Sequence, residues 1–156
     1  RTEAFVFGTR LTRVTDAFGL RKLDLALDAV SDEVADFAGG TRFAESLHSF
    51  RRPWAPRVLG RGSVVILISD GCETGDVSAL SREVGALRRS CYRLIWLNPR
   101  LGQPGYEPRV AGMAAALPHV DDFLSIHNLE SLHQRRDHLA ALPQRKGAPR
   151  ESSWRL

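Results

Sequence analysis

The order of hydrophobic and polar positions divides this chain into short apolar runs separated by stretches of helical period. Val64-Val65-Ile66-Leu67-Ile68 is unbroken and mostly β-branched, and Ser69-Asp70-Gly71 follows at once. A run without polar alternation predicts a strand covered on both faces, as in the middle of a parallel α/β sheet. Tyr92 to Leu97 predicts the next strand, ended by Asn98-Pro99, and Val120 to Leu124 a final one. Elsewhere the apolar period is helical. Leu27, Val30, Val34 and Phe37 share a face over Leu23 to Phe37. Phe43 to Phe50 runs to a broken end at Pro53 and Pro56. Leu80, Val84 and Leu87 line Asp76 to Arg89, with Asp76 or Ser78 as cap. Val110 to Leu117 is a short alanine-rich helix, and Leu129 to Leu142 a terminal one.

Two of these junctions carry chemistry. Asp70 falls at the carboxyl end of its strand, the edge of an open α/β sheet where loops converge and ligands bind. The alternative is an ordinary Asp-Gly turn. Ala38-Gly39-Gly40-Thr41-Arg42-Phe43-Ala44-Glu45 reads as a glycine pair, a hydroxyl residue that starts a helix, and a carboxylate near the positive end of its dipole. If both loops meet at one sheet edge, Thr41 and Asp70 offer hard oxygens of the kind magnesium takes. The alternative for Thr41 is a plain N-cap.

Gly39-Gly40-Thr41-Arg42 with Glu45-Ser46-Leu47, then Val65 through Gly71, resembles the second half of a von Willebrand factor type A domain, and more narrowly the CoxE-like branch of bacterial proteins. Phe7-Gly8-Thr9-Arg10-Leu11-Thr12, Arg93-Leu94-Ile95-Trp96-Leu97-Asn98-Pro99, Gly105-Tyr106-Glu107-Pro108 and Ala116 through Leu124 carry the narrower likeness. It spans roughly residues 3 to 133, and several motifs in one order make it specific where isolated patterns are not.

The resemblance implies a doubly wound, Rossmann-like α/β fold over residues 1–142, with a mostly parallel sheet and helices on both faces, followed by a tail at 143–156. It also implies a metal-ion-dependent adhesion site, in which three loops surround a magnesium ion whose open position takes a partner's carboxylate. Thr41 matches the threonine of the second loop and Asp70 the aspartate of the third. The Asp-x-Ser-x-Ser of the first loop does not occur in these residues. Glu3 to Phe7 matches the family's second strand, and the first strand, which lies between the second and fourth, has no counterpart. The expectation is therefore a fragment of a longer protein, in which Glu3 to Phe7 and Val64 to Ile68 lack their central partner and leave edges prone to rearrangement or aggregation. CoxE-like proteins are associated with MoxR-type AAA+ ATPases and with maturation of molybdenum-containing carbon monoxide dehydrogenases and related metalloenzymes. The implied role is a non-enzymatic adaptor between such an ATPase and its client.

Composition narrows the alternatives. A chain of 156 residues, 43% hydrophobic, suffices for one core. No 18-residue apolar run or secretory leader is visible in it. The formal charge of +4 sits mostly in residues 143–156, where Arg145, Lys146, Arg150 and Arg155 face only Glu151. With Pro143, Gly147 and Pro149 this reads as a solvated, disordered end rather than a nucleic-acid arm. No nucleic-acid signature accompanies it. Cys72 follows one strand's carboxyl end and Cys91 opens the next, ~20 Å apart by strand rise and too far for a disulfide, which points to a reducing, cytoplasmic compartment. No histidine is spaced to activate Cys72. Asp121-Asp122, at the far end of the sheet from Asp70, reads as a solvated or capping pair. Two other functions stay open: a metal-independent scaffold of the same fold, binding through the Arg42 and Arg51-Arg52 region, and an α/β enzyme with Asp70 at the switch point. The second lacks any visible nucleophile motif or phosphate loop.

Overall fold

The computed structural model of the chain describes residues 1–8, 10–19, 23–33, 42–72, 74–101, 103–105 and 111–126. The elements are strands β1 (Phe5–Phe7) and β2 (Leu11–Arg13), a 3-10 turn (Ala17–Gly19), helices α1 (Leu23–Glu33), α2 (Phe43–Arg51) and α3 (Ala55–Val58), strand β3 (Val64–Ile68), helix α4 (Val77–Ser90), strand β4 (Arg93–Asn98), helix α5 (Ala111–Ala116), a second 3-10 turn (Leu117–His119) and strand β5 (Asp122–Ser125). The expected terminal helix and the basic tail lie outside the described residues.

Strands β3, β4 and β5 form a parallel sheet in that order, with Ile66 opposite Ile95 and Ile95 opposite Asp122. This is the expected α/β architecture. Strands β1 and β2 form a separate antiparallel pair. Among the described residues no strand lies between β1 and β3, where the resemblance leaves the central strand without a counterpart.

One face of the parallel sheet is covered by α2, α4 and α5. Helix α4 starts where Asp76 Oδ1 accepts from the Ser78 amide at 2.8 Å, the expected cap. Its Leu80, Val84 and Leu87 are buried against the strands, as their spacing requires. Helix α2 contributes Phe43, whose ring stacks on Phe7 at 4.4 Å and meets Trp96 edge-on at 5.3 Å. Phe5 sits between Phe50 and Trp54, at 5.2 and 5.3 Å. Phe5 and Phe7 are half-buried in these contacts, so the hairpin is tied to the core through aromatic packing and not through sheet hydrogen bonds.

The expectation that Val64–Ile68 is covered on both faces holds on one face only. Leu67 is buried, whereas Val64, Ile66 and Ile68 are 40%, 42% and 56% exposed. The reason is position in the sheet. Strand β4 is the middle strand, buried from Leu94 to Asn98. Strand β3 has a neighbour on one side only among the described residues.

Candidate functional site

Strand β3 delivers its chain to the carboxyl edge under tight control. The Ser69 amide donates to the Leu97 carbonyl at 3.1 Å, continuing the ladder, and the Trp96 indole N–H donates to the Ser69 carbonyl at 2.9 Å. The chain then turns. The Gly71 amide donates to Ser69 Oγ at 3.1 Å, and the Cys72 amide to Asp70 Oδ1 at 3.2 Å. Gly71 has φ +81°, and a Cβ there would come within 2.6 Å of Met113 Cε and 3.0 Å of Met113 Cβ on α5. Both the left-handed backbone and the close approach require glycine. Asp70 is thus held in the turn through its own Oδ1 while its side chain stays 34% exposed.

A second loop approaches from β4. Asn98 is fully buried, and its Oδ1 accepts from the amides of Arg100 and Leu101 at 2.8 and 3.2 Å, an Asx turn that closes the strand. The turn sets Arg100 Nη1 4.0 Å from Asp70 Oδ2. Sequence reasoning did not find Arg100. The one available signal was Asn98-Pro99 at a strand end, which predicts a turn but not the direction of the next side chain.

Cys72, beside Asp70, is exposed and free. Partial burial of its thiol, the neighbouring Asp70 charge and a hydrogen bond to Asp70 push its pKa up, and Arg100 offsets only part of this. A thiol held protonated is a poor nucleophile. The alternative surface is partly occupied by its own ion pairs. Arg42 pairs with Glu45 at 3.3 Å, and Arg51 donates to Glu83 at 2.6 Å, with His48 at 3.1 Å from the same carboxylate. Arg52 is exposed. Thr41 lies outside the described residues. Its neighbour Arg42 is anchored by its backbone N–H, which donates to the Gly8 carbonyl at 3.1 Å.

At the opposite end of the sheet one expectation is corrected. Asp121 and Asp122 are neither solvated nor caps: both are buried. Arg93 holds Asp122 with Nε at 2.5 Å and Nη2 at 2.7 Å, and Arg88 holds Asp121 at 2.7 Å. Asp121 Oδ2 also accepts the Leu94 amide at 2.8 Å. Two arginines distant in sequence turn an acidic dipeptide into a structural clamp. A cavity of about 320 Å³ adjoins it, lined by Arg88, Arg89, His119 and Asp121 among others.

A parallel sheet with an aspartate turned out at the carboxyl edge of β3 is the frame of a von Willebrand A domain. The family model described as "VWA domain containing CoxE-like protein" matches residues 1–132. The chain belongs to this family. No significant match was found among curated proteins or solved structures. Von Willebrand A domains are protein-interaction modules, and no described helix of this one is long and apolar enough to cross a membrane.

The fold implies a magnesium ion at this edge. Asp70 supplies the right donor type, a hard carboxylate oxygen at the right edge. Among the described residues no three His, Cys, Asp or Glu side chains gather closely enough to hold a metal ion. The charged group beside Asp70 is a cation, Arg100. Thr41, the other residue matched to the adhesion site, lies outside the described residues.

Proposed function

We propose that this CoxE-like domain is the docking part of a non-enzymatic, cytoplasmic adaptor that works with a MoxR-type AAA+ ATPase in maturing a metalloenzyme such as a carbon monoxide dehydrogenase. The observation that carries the reading is Asp70, held at the carboxyl edge by a rigid turn yet open to a partner. In this reading Asp70 and Thr41 are this chain's contributions to a magnesium ion that takes a partner's carboxylate. The raised Cys72 thiol pKa supports a binding role over nucleophilic chemistry.

A second reading is favoured by one specific contact. Arg100 stands 4.0 Å from Asp70, so the chain brings its own cation to this edge and docking there proceeds without metal. One experiment separates the two. The immobilised protein is assayed for capture of a purified MoxR-type AAA+ ATPase, in magnesium and in excess chelator, with wild type and Asp70→Ala. Loss in both the variant and the chelator supports the metal-bridged edge. Loss in the variant alone supports the Arg100–Asp70 edge. Capture unchanged in Asp70→Ala sinks both.

A further inference from the structure

Helix α4 carries a glycine that its backbone does not need. Gly85 is buried in the helix interior and has no positive φ, a place where glycine is destabilising relative to alanine. What it supplies is space. A Cβ at Gly85 would come within 3.2 Å of both Cε1 and Nδ1 of His119 and 3.5 Å from Arg89 Nη1. The His119 ring is held at its other nitrogen, Nε2 lying 3.0 Å from Ser81 Oγ, which leaves Nδ1 as the nitrogen beside Gly85. Gly85, Arg89 and His119 line the cavity of about 320 Å³ together with Arg88 and Asp121. The dipole of α4 accounts for a cation in its last turn, but not for an opening one turn earlier.

This cavity lies at the amino edge of the sheet, opposite Asp70, because α4 runs into β4 and His119 precedes β5. The charges of that edge do not cancel. Arg88 takes Asp121, Arg93 takes Asp122 and Arg51 takes Glu83, while Arg1 and Arg13 hold Glu3 and Asp16 at the hairpin. Arg52 after α2, Arg57 on α3, Arg61 before β3 and Arg89 on α4 are all exposed, and no described acid pairs with any of them. They share one rim. The segment carrying the first three leads into the amino end of β3, where the Ser63 carbonyl accepts from the Tyr92 amide at 2.8 Å, next to the end of α4.

We propose that the amino edge is a second docking surface, for an acidic polypeptide segment that seats one aspartate or glutamate carboxylate between Arg89 and His119 and lays further carboxylates along Arg52, Arg57 and Arg61. With the Ser81 hydroxyl donating to Nε2, His119 Nδ1 carries the ring proton and donates to the seated carboxylate, as Arg89 does; a carboxylate only accepts. The wall of the cavity selects the charge of the ligand. Asp121, bonded to Arg88 at 2.7 Å, repels a doubly charged phosphate more than a singly charged carboxylate. A nucleic acid also lacks its stacking platform here, since the nearby Trp54 is already packed by Phe5 and Arg13. The rim arginines steer the segment to the edge, and no metal at Asp70 takes part.

The test is fluorescence anisotropy of a labelled peptide of alternating glutamate and serine, titrated with the full chain. Expected is saturable 1:1 binding that weakens as salt rises from about 50 to about 300 mM and is the same in magnesium and in excess chelator. Arg89→Gln should weaken it roughly tenfold or more. Gly85→Ala should weaken it as well, although no charge is removed, because the methyl group takes the seat. Arg82→Gln, an exposed arginine at the other end of α4, should leave it unchanged. Equal losses in Arg82→Gln and Arg89→Gln would show diffuse attraction and overturn the proposal, as would unaltered binding in Arg89→Gln or Gly85→Ala. Tighter binding of an oligonucleotide of equal charge would make the edge a nucleic-acid surface, and full displacement of the peptide by inorganic phosphate at constant ionic strength would make the cavity a small-anion site; either result overturns the assignment to an acidic polypeptide.

Discussion

At the amino end of β5 an arginine and an aspartate meet out of water; at the carboxyl end of β3 the same two side chains face each other at a distance in it. Asp122 is 1% exposed and bound by both Nε and Nη2 of Arg93, whereas Asp70 is 34% exposed and Arg100 stands off at 4.0 Å. Two ionised groups enter a low-dielectric interior only if their pairing is close and doubly hydrogen-bonded. An exposed pair gains little from its Coulomb energy. The first constellation is thus committed to the fold, the second to whatever docks at the edge.

Removing one carboxylate from each end should separate the two most strongly. Asp122→Ala strands Arg93 against a buried wall and is expected to cost ~3 kcal/mol or more, read as a lowered urea midpoint. Asp70→Ala is expected to change stability by less than ~0.5 kcal/mol. Equal losses would show that the two ends do not differ in kind.

Next in size is the turn that holds Asp70. Gly71→Ala forces an L side chain into φ +81° and against Met113, and the combined backbone and packing cost is expected at ~2 kcal/mol. Because α5 must shift to relieve it, the Asp70 loop loses its fixed geometry, and partner capture falls further than stability alone explains. A variant that captures normally would mean the turn's rigidity is irrelevant to docking.

How much of this was legible differs between the two ends. The Asp76 cap, the buried Leu80, Val84 and Leu87, and the placing of Asp70 after β3 all depend on residues within a few positions of one another, so local pattern revealed them. The clamp depends on Arg93 and Asp122, 29 positions apart, and on Arg88 and Asp121, 33 apart, a pairing set by strand register rather than by neighbours. Arg100 meets Asp70 for the same reason. The apolar run of β3 told its composition correctly, but composition does not say what covers a face, and Val64, Ile66 and Ile68 proved open on one.

Between the extremes stands Glu83, 14% exposed, held by Arg51 Nε at 2.6 Å and by His48 at 3.1 Å. Partial burial works to raise its carboxyl pKa, but the Arg51 and His48 hydrogen bonds outweigh this and bring it below the usual glutamate range. A carboxyl whose pKa is lower folded than unfolded stabilises the fold above the unfolded value, and that contribution disappears as pH falls through the folded one. The unfolded value is ~4.3, so the stability difference between wild type and Arg51→Ala should be constant from neutral pH to about pH 5 and shrink below it. Its size should be ~1 kcal/mol, between the two ends of the sheet, since the pair is neither sealed nor free. Urea unfolding of both proteins at several pH values measures it. A difference that stays constant on acidification would show that Arg51 supports the helix by packing rather than by its charge, and one that grows would have the opposite sign to the one a lowered carboxyl pKa requires.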